Sequence, residues 1–401
     1  MIALEFKLKG SKEEFKRVDE AIRIGQFIRN KCLRMWMDAP RGTIDKYGIN
    51  NYVTKLRSEL TFSIIINSHA AQSSGERAWQ SIARFFRYYK KDNNYKRKSL
   101  PKFKKNSKTL EYKTSGWKLI DPKHLRMSDG IAATFKLIGS HDLSFYSRDQ
   151  IKRVSLIRRA DGYYASFIVD VTRSEPQPPT GNTIGLDLGL KHYYTDSTGT
   201  TVENPKFLEK QKRRLKKLQR RLSKTEKGSS NRKKAINKVA RKHLKISRQR
   251  KDFVTKLARC VVKSNDFVSI ENLSIKNMQK NHRLAGAIGS ASWYIFRQWL
   301  EYYGKIFGKV VIAIDPRNTS QDCSGCGTKV PKTLSEGTHS CEACGLVLDR
   351  DHNAALNILK RGLSTAGHAG IYASGDESLY SEQATASEQA LSMKEELVSN
   401  D

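Results

Sequence analysis

The chain carries two cysteine pairs, Cys323-Ser-Gly-Cys326 and Cys341-Glu-Ala-Cys344, and the acidic motif Asp349-Arg-Asp351-His-Asn353 begins five residues after the last cysteine. Zn²⁺ prefers four tetrahedral thiolates, and two Cys-x-x-Cys pairs separated by fourteen residues can supply them. We therefore predict a zinc ribbon with one structural Zn²⁺; two buried cysteine pairs without metal are the disfavoured alternative. Cys32 and Cys260 lie singly in apolar helical surroundings, which indicates core thiols.

Composition indicates a nucleic-acid partner. The 401 residues include 74 Lys and Arg against 40 Asp and Glu, a net charge of +34, and so large an excess favours binding to a polyanion. No apolar run approaches the roughly 18 residues of a membrane-spanning helix, and the N-terminus lacks the apolar region of a signal peptide. Zinc-type cysteine spacing without a disulfide framework is typical of a reducing cytosol. We expect a cytoplasmic protein that does not bind membranes.

Much of the basic charge lies in one segment. Residues 206–251 hold 21 Lys and Arg and two acids, a net +19. A heptad-like leucine seam is broken at residues 228–231, and a second apolar seam follows, which predicts two basic helices packed as a hairpin. The first seam is Leu208, Leu215, Leu218 and Leu222, and the second is Ile236, Val239, Ala240 and Leu244. A solvated helix face usually mixes both signs of charge, so this segment favours phosphate contact. The candidate contact residues are Arg213, Arg214, Lys216, Lys217, Arg220, Arg221, Arg232 and Lys233.

The N-terminal part is predicted to form a strand, then helices, then further strands. Residues 1–10 alternate like a strand, and Ser11-Lys-Glu-Glu14 forms a capping box at the start of a long helix. A second helical stretch runs from about residue 64 to 89, and residues 91–105 form a basic loop. The pattern becomes β from about residue 110 to 173. Prolines at 176, 178 and 179 then indicate a domain boundary.

Three acids after this boundary suggest metal-dependent hydrolysis. Asp187 lies in an apolar strand, Glu271 ends a later strand, and Asp351 begins the last helix. Two further strands follow Asp187 at hairpin distances, which is how a ribonuclease-H-type sheet begins. Phosphodiester hydrolysis uses such carboxylates to hold two Mg²⁺ ions. Each acid alone is weak evidence, and the prediction rests on their order along the chain.

These motifs resemble those of TnpB, the RNA-guided nuclease of insertion sequences, which is akin to the type V CRISPR effectors. The resemblance rests on residues 183–190, 268–273, 316–327 and 341–358, and it extends to Pro101-Lys-Phe-Lys104. It implies a multidomain α/β fold with four domains and a tail. These are a wedge β-barrel of oligonucleotide-binding type (1–10 and 101–178), a helical recognition domain (11–100), a RuvC (RNase H-like) nuclease domain (181–315 and 349–362), a zinc ribbon that binds target nucleic acid (316–348) and a disordered tail (363–401).

The resemblance also implies roles for individual residues. Asp187, Glu271 and Asp351 would be the catalytic residues and the Mg²⁺ ligands. Asp349 competes with Asp351, but the second acid of the family's Asp-x-Asp-x-Asn motif is the ligand. Arg350 and Asn353 would orient substrate or carboxylates.

The implied function is RNA-guided cleavage of double-stranded DNA. A guide RNA from the transposon end would pair with the target strand, while the protein reads a short flanking motif. We expect one chain with one RNA, associated with a prokaryotic nucleoid. Gln72 is a candidate reader of the flanking motif, since an amide can bond adenine in the major groove. Further candidate nucleic-acid contacts outside the basic hairpin are Arg77, Lys102 and Lys104.

Three alternatives are considered. A miniature type V CRISPR effector has the same chemistry and differs in lying beside a repeat array. A DDE-type transposase also uses three acids, but the cysteine pairs between Glu271 and Asp351 and the large basic surface oppose it. A non-catalytic nucleic-acid-binding repressor would be favoured by loss of one of these acids, and all three are present.

Overall fold

The computed structural model describes residues 1–40, 42–91, 100–333 and 336–369, and it divides the chain into two compact units. Unit 1 is Met1–Thr172 and unit 2 is Arg173–Asp401, so the division falls just before the predicted proline boundary. Among the described residues, no helix is both long and apolar enough to cross a membrane. Most of the predicted basic loop and residues 370–401 of the predicted tail lie outside the described residues.

Unit 1 combines helices with one antiparallel sheet. Its described helices are α1 (Lys12–Asp38), α2 (Lys46–Glu59) and α3 (Ser68–Lys91). Its described strands are β1 (Ile2–Lys9), β2 (Thr109–Tyr112), β3 (Trp117–Asp121), β4 (His124–Met127), β5 (Ala133–Ile138), β6 (Ile151–Arg159) and β7 (Gly162–Val169). In the described part of the unit they form a seven-stranded sheet in the order β2-β6-β7-β1-β5-β4-β3, which curls as a half-barrel.

The N-terminal strand lies inside this sheet. β1 pairs with β7 on one side and β5 on the other, and every second side chain of β1 is buried (Leu4, Phe6 and Leu8). The predicted capping box at the start of α1 is confirmed: the Glu14 N–H donates to the Ser11 hydroxyl at 3.2 Å, and the Ser11 N–H donates to the Glu14 carboxylate at 2.6 Å. The early strand and the later strands therefore share one core.

Unit 2 contains a second sheet, a helical hairpin and a small ribbon. Its described helices are α4 (Phe207–Ser223), α5 (Ser230–Ser264), α6 (Ile275–Met278), α7 (Ala285–Ala291), α8 (Trp293–Phe307) and α9 (Arg350–Ala369). Its described strands are β8 (Thr183–Leu188), β9 (His192–Asp196), β10 (Thr201–Glu203), β11 (Phe267–Glu271), β12 (Val310–Ile314), β13 (Thr338–Ser340) and β14 (Val347–Asp349).

The described part of unit 2 holds a five-stranded sheet in the order β10-β9-β8-β11-β12. The first three strands of unit 2, β8 to β10, are antiparallel, as predicted, whereas β8, β11 and β12 are parallel. Helix α9 crosses so closely over β8 that a Cβ on Gly185 would overlap the carbonyl oxygen of Ala355. On β11, the Ser269 hydroxyl donates to the carbonyl of Ile358 at 2.9 Å. The last helix is thereby fixed on the central strands.

Three expectations need correction. Cys32 is buried as predicted, but Cys260 is exposed, because it lies on an outward face of α5. Ile236 was expected in the apolar seam of the second basic helix, yet it is 48% exposed beside the buried Ala235 and Val239. The last helix continues to Ala369, so the first residues of the predicted tail are helical.

Candidate active site and metal centre

The three acids singled out in the sequence converge at one edge of the five-stranded sheet. β8 and β11 are parallel with Leu186 opposite Ile270, so the next residues, Asp187 and Glu271, lie side by side. Asp351 is in the first turn of α9, the helix that packs on β8. Burial raises the pKa of Asp187 well above its usual range, and the negative charges of Glu271 and Asp351 raise it further. The carboxylates are therefore close enough to repel one another.

Glu271 is buried and receives one short hydrogen bond. The Thr319 hydroxyl donates to Glu271 Oε1 at 2.6 Å. Burial raises the pKa of Glu271, while the Thr319 bond and the positive charge of Arg361 act in the opposite direction. Thr319 lies within residues 316–327, one of the stretches that carry the resemblance, but the sequence predicted no role for its side chain.

The two acids of the Asp349-Arg-Asp351 motif have different partners. Asp349 Oδ1 accepts hydrogen bonds from the backbone N–H groups of Asp351 and His352, at 2.9 and 3.2 Å, so this carboxylate caps the start of α9. Arg350 donates through Nε and Nη2 to Asp351 Oδ1, at 3.1 and 3.0 Å. The cap engages Asp349, whereas one oxygen of Asp351 is bound by Arg350. The role of Arg350 in orienting substrate stays a prediction.

Asn353 has contacts other than those implied by the resemblance. It is fully buried; its Nδ2 donates to the carbonyl of Asp322, and its Oδ1 accepts from the N–H of Ser324, each at 2.9 Å. Its hydrogen bonds thus join α9 to the first cysteine pair rather than to the three carboxylates.

Two further residues of α9 also attach this helix to the segment around the first cysteine pair. They were not identified from the sequence. Asn357 Nδ2 donates to the carbonyls of Thr319 and Asp322, at 2.9 and 2.7 Å. Arg361 Nη2 forms an ion pair with Asp322 Oδ2 at 2.6 Å. The signal available was the four-residue spacing of polar side chains at 353, 357 and 361, which places them on one helix face.

The four predicted zinc ligands are brought together. The sulfur atoms of Cys323, Cys326, Cys341 and Cys344 all lie within 4.8 Å of one another. Two of the Sγ–Sγ distances, from Cys323 to Cys344 and from Cys326 to Cys341, are 3.6 Å. Zn–S bonds of about 2.3 Å in a tetrahedron place sulfurs about 3.8 Å apart. The four thiols could therefore hold a metal ion, and their spacing fits zinc.

Both cysteine pairs have the same backbone geometry. Gly327 and Gly345, each directly after the second cysteine of its pair, have φ of +80° and +73°. Their N–H groups donate to the carbonyls of Cys323 and Cys341, each at 2.8 Å. A left-handed residue here favours glycine, so the two turns that gather the sulfurs depend on these glycines.

The basic hairpin is present as α4 and α5, which pack against each other as predicted. Most of its candidate phosphate contacts have exposed side chains: Arg213, Arg214, Lys216, Lys217, Arg220, Arg221 and Lys233. Arg232 differs, because its Nη1 donates to the carbonyls of Leu222 and Thr225, at 3.3 and 2.8 Å, and closes the C-terminal end of α4. Its assignment as a phosphate contact stays a prediction.

The candidate contacts in unit 1 are in mixed environments. Arg77 Nη1 donates to Thr109 Oγ1 at 2.7 Å, and Arg77 pairs with Glu111 at 3.6 Å; its contact with nucleic acid stays a prediction. Gln72 is half-buried on α3, Lys102 is exposed, and Lys104 is half-buried. The Lys104 backbone is bound on both sides by the amide of Asn30 on α1, at 2.8 and 2.9 Å.

Two family models match unit 2 and the end of unit 1. Residues 166–282 match the OrfB_IS605 family, described as a probable transposase. Residues 293–358 match the TNB domain of Cas12f1-like proteins. The first match includes Asp187 and Glu271, and the second includes the four cysteines and Asp351.

Named relatives agree with these models. The chain is 40% identical over 212 residues to the "Putative RNA-guided DNA endonuclease" of Streptomyces pristinaespiralis, a match covering 52% of each chain, or about half of that relative. It is 29% identical over 290 residues to the "Putative RNA-guided DNA endonuclease InsQ" of Escherichia coli K12, covering 68% of this chain and 70% of that protein. It is 30% identical over 221 residues to the "TnpB-like protein L79" of Acanthamoeba polyphaga mimivirus, covering 50% of this chain and 41% of that one.

A solved structure shares the fold. The chain matches the protein of the Cas12f1–sgRNA–target DNA complex with a TM-score of 0.54 and 14% identity, over 86% of this chain and 82% of that one. The order of the acids, the cysteine pairs, the two family models and the named relatives agree in their similarity to the TnpB family.

Proposed function

We propose that this chain is an RNA-guided DNA endonuclease of the TnpB type, which hydrolyses target DNA beside a short flanking motif with a guide RNA from the transposon end. The observation that carries the proposal is the convergence of Asp187, Glu271 and Asp351 at one sheet edge. The names of the relatives support the same activity. The strand order of the surrounding sheet supports its assignment as a RuvC (RNase H-like) domain, residues 181–315 and 349–362.

The carboxylate cluster fits magnesium. The charges of Glu271 and Asp351 raise the pKa of Asp187, so a bound cation would relieve this repulsion, and oxygen ligands suit Mg²⁺. Asp187, Glu271 and Asp351 would hold the ions, two in number by analogy with related nucleases. Bound Mg²⁺ supplies an activated water and stabilises charge on the leaving oxygen. Arg350 fixes one oxygen of Asp351, and Thr319 fixes one oxygen of Glu271.

The ribbon, residues 316–348, would hold one structural Zn²⁺ through its four cysteines. A segment of this size buries little apolar surface, so metal binding would supply much of its folding free energy. The hydrogen bonds of Asn353 and Asn357 attach its first half to α9. Zinc would thereby also stabilise the surroundings of the carboxylates.

The nucleic-acid partners would be a guide RNA and double-stranded target DNA. The exposed basic side chains of α4 and α5 offer phosphate contacts. In unit 1, residues 1–10 and 101–178 would form the wedge domain and residues 11–100 the recognition domain that read the flanking motif. One chain would act with one RNA.

Purification of the full chain after expression with its flanking insertion-sequence DNA tests this proposal. RNA that copurifies is extracted and sequenced, and its 3′ segment is then matched in a plasmid target library to find the flanking motif. We expect a discrete structured RNA and Mg²⁺-dependent cleavage of matched plasmids only. Recovery of heterogeneous RNA, together with no cleavage of any library member, would refute the proposal.

A further inference from the structure

A hydroxyl in the segment that leads into the first cysteine pair is held against one of the proposed metal ligands. Thr319 is 2% exposed, and its hydroxyl lies 2.6 Å from Glu271 Oε1. The same hydroxyl oxygen lies 3.0 Å from the carbonyl of Pro316. One O–H carries one proton, and a distance of about 2.6 Å is typical of a hydroxyl that donates to an ionised carboxylate. The Thr319 hydroxyl therefore donates to Glu271, rather than to the Pro316 carbonyl, when that carboxylate is charged.

The position of Thr319 is fixed from two sides. Its carbonyl accepts from Asn357 Nδ2 at 2.9 Å, which attaches it to α9. The preceding residue, Asn318, has φ of +60°, and its carbonyl accepts from the N–H groups of Gln321 and Asp322, at 3.0 and 2.9 Å. This tight turn leads directly into Cys323. The hydroxyl is thus held by the last helix and by the entry to the ribbon.

Glu271 depends on this contact for its orientation. In the described part of unit 2, Thr319 is the one residue that hydrogen-bonds to the Glu271 carboxylate. A carboxylate with a single fixed oxygen has its rotation about the final bond restricted, and its other oxygen is left for a different partner. Groups that orient metal ligands in this way commonly affect metal affinity strongly.

We propose that Thr319 is a positioning residue, which orients Glu271 for cation binding and couples the cysteine ribbon to the carboxylate site. The inference rests on the proposed function in one respect, namely that the carboxylates bind a divalent cation. The Asn318 turn connects Thr319 to the first cysteine pair, and the Thr319 hydroxyl contacts Glu271. These two connections would couple the ribbon to the carboxylates. Thr319 would thus act through Glu271, a proposed metal ligand.

The test measures binding of Mn²⁺ to the full chain without nucleic acid, by the electron paramagnetic resonance signal of the free ion. Thr319→Val removes the hydroxyl and keeps the shape, whereas Thr319→Ser keeps the hydroxyl. We expect Thr319→Val to weaken Mn²⁺ binding by about 10- to 100-fold and Thr319→Ser to retain affinity within about threefold, with zinc content unchanged in both. In a Glu271→Ala background, Thr319→Val should have no further effect.

The outcomes separate the two proposals. If the wild-type chain holds zinc but binds no Mn²⁺ at millimolar concentration, the proposed metal site is wrong and the role of Thr319 falls with it. If the wild type binds Mn²⁺ and Thr319→Val binds equally well, only the inference about Thr319 is overturned. If Thr319→Val loses zinc, Thr319→Ala, which needs no extra space, is measured in its place. Loss of zinc from both variants would show a purely structural role and also overturn the inference.

Discussion

Asp187→Asn should reduce cleavage while stabilising the metal-free protein. The substitution keeps the size of the side chain and removes one negative charge from a half-buried site, where Glu271 and Asp351 oppose that charge. Loss of a charged metal ligand should cost about 4 kcal/mol of transition-state stabilisation, which corresponds to about 10³-fold in cleavage rate. Removal of the repulsion should raise Tm by about 2 °C or more at neutral pH.

The pH dependence of this stabilisation has a definite sign. Because the pKa of Asp187 is raised in the folded chain, the folded state retains a proton that the unfolded state releases from about pH 4 upward. The metal-free wild type therefore loses stability as the pH rises above about 4, up to the raised pKa of Asp187, and Asp187→Asn does not. We expect the difference in Tm to be small at pH 4, to grow toward neutral pH and to shrink when Mg²⁺ is added.

Asp349→Asn is the matched control. It makes the same chemical change two residues before Asp351, and asparagine caps a helix about as well as aspartate. It should retain most of the activity. The assays are plasmid cleavage, gel shift with matched duplex and thermal unfolding at several pH values, on one preparation of each variant. Wild-type cleavage by Asp187→Asn would refute the assignment of the site. Equal losses in Asp187→Asn and Asp349→Asn would refute the distinction between ligand and cap.

Three further predictions follow from other parts of the chain. Elemental analysis should find one zinc per wild-type chain and none in Cys326→Ser, which should also cleave more slowly; retention of zinc would contradict the four-thiolate site. Charge reversal at Arg213 and Arg214 should flatten the salt dependence of guide-RNA binding, which in the wild type should fall by about 10³-fold between about 50 and 200 mM salt if six contacts form; a flat wild-type curve would contradict phosphate binding. Gly185→Ala should destabilise unit 2 by about 2 kcal/mol or more, because the added Cβ would overlap α9. Gly286→Ala, where nothing lies within 4 Å of the added Cβ, should leave Tm unchanged or slightly raised.

Much of the local architecture was predictable because short-range patterns decide it. The Ser11–Glu14 capping box depends on residues three apart, and the structure confirms it. The leucine seam and the glycine-containing break predicted the α4–α5 hairpin, since helical spacing alone defines an apolar face. The burial of single residues within these elements depends on tertiary packing, so Ile236 is exposed although its spacing suits the seam.

The charged residues show where the sequence is ambiguous. Arg232 and Arg213 both lie in a run of basic residues, and the sequence does not distinguish their roles. In the structure Arg232 donates to a carbonyl at the end of α4, whereas Arg213 is exposed. Arg77 similarly binds Thr109 across 32 positions of the chain. A guanidinium binds whichever acceptor lies near it, and only the folded chain shows whether that is a carbonyl, a carboxylate or solvent.

The sequence by itself determined the chemistry available: four thiols at zinc spacing, three acids in nuclease order and a strongly basic hairpin. These are properties of residue type and spacing, which a chain carries before it folds. Only the tertiary structure decided that Thr319 binds Glu271, and that Asn357 and Arg361 join α9 to the ribbon. These contacts join residues up to 48 positions apart. Their partners are set by the packing of α9 across the parallel strands, which no local pattern encodes.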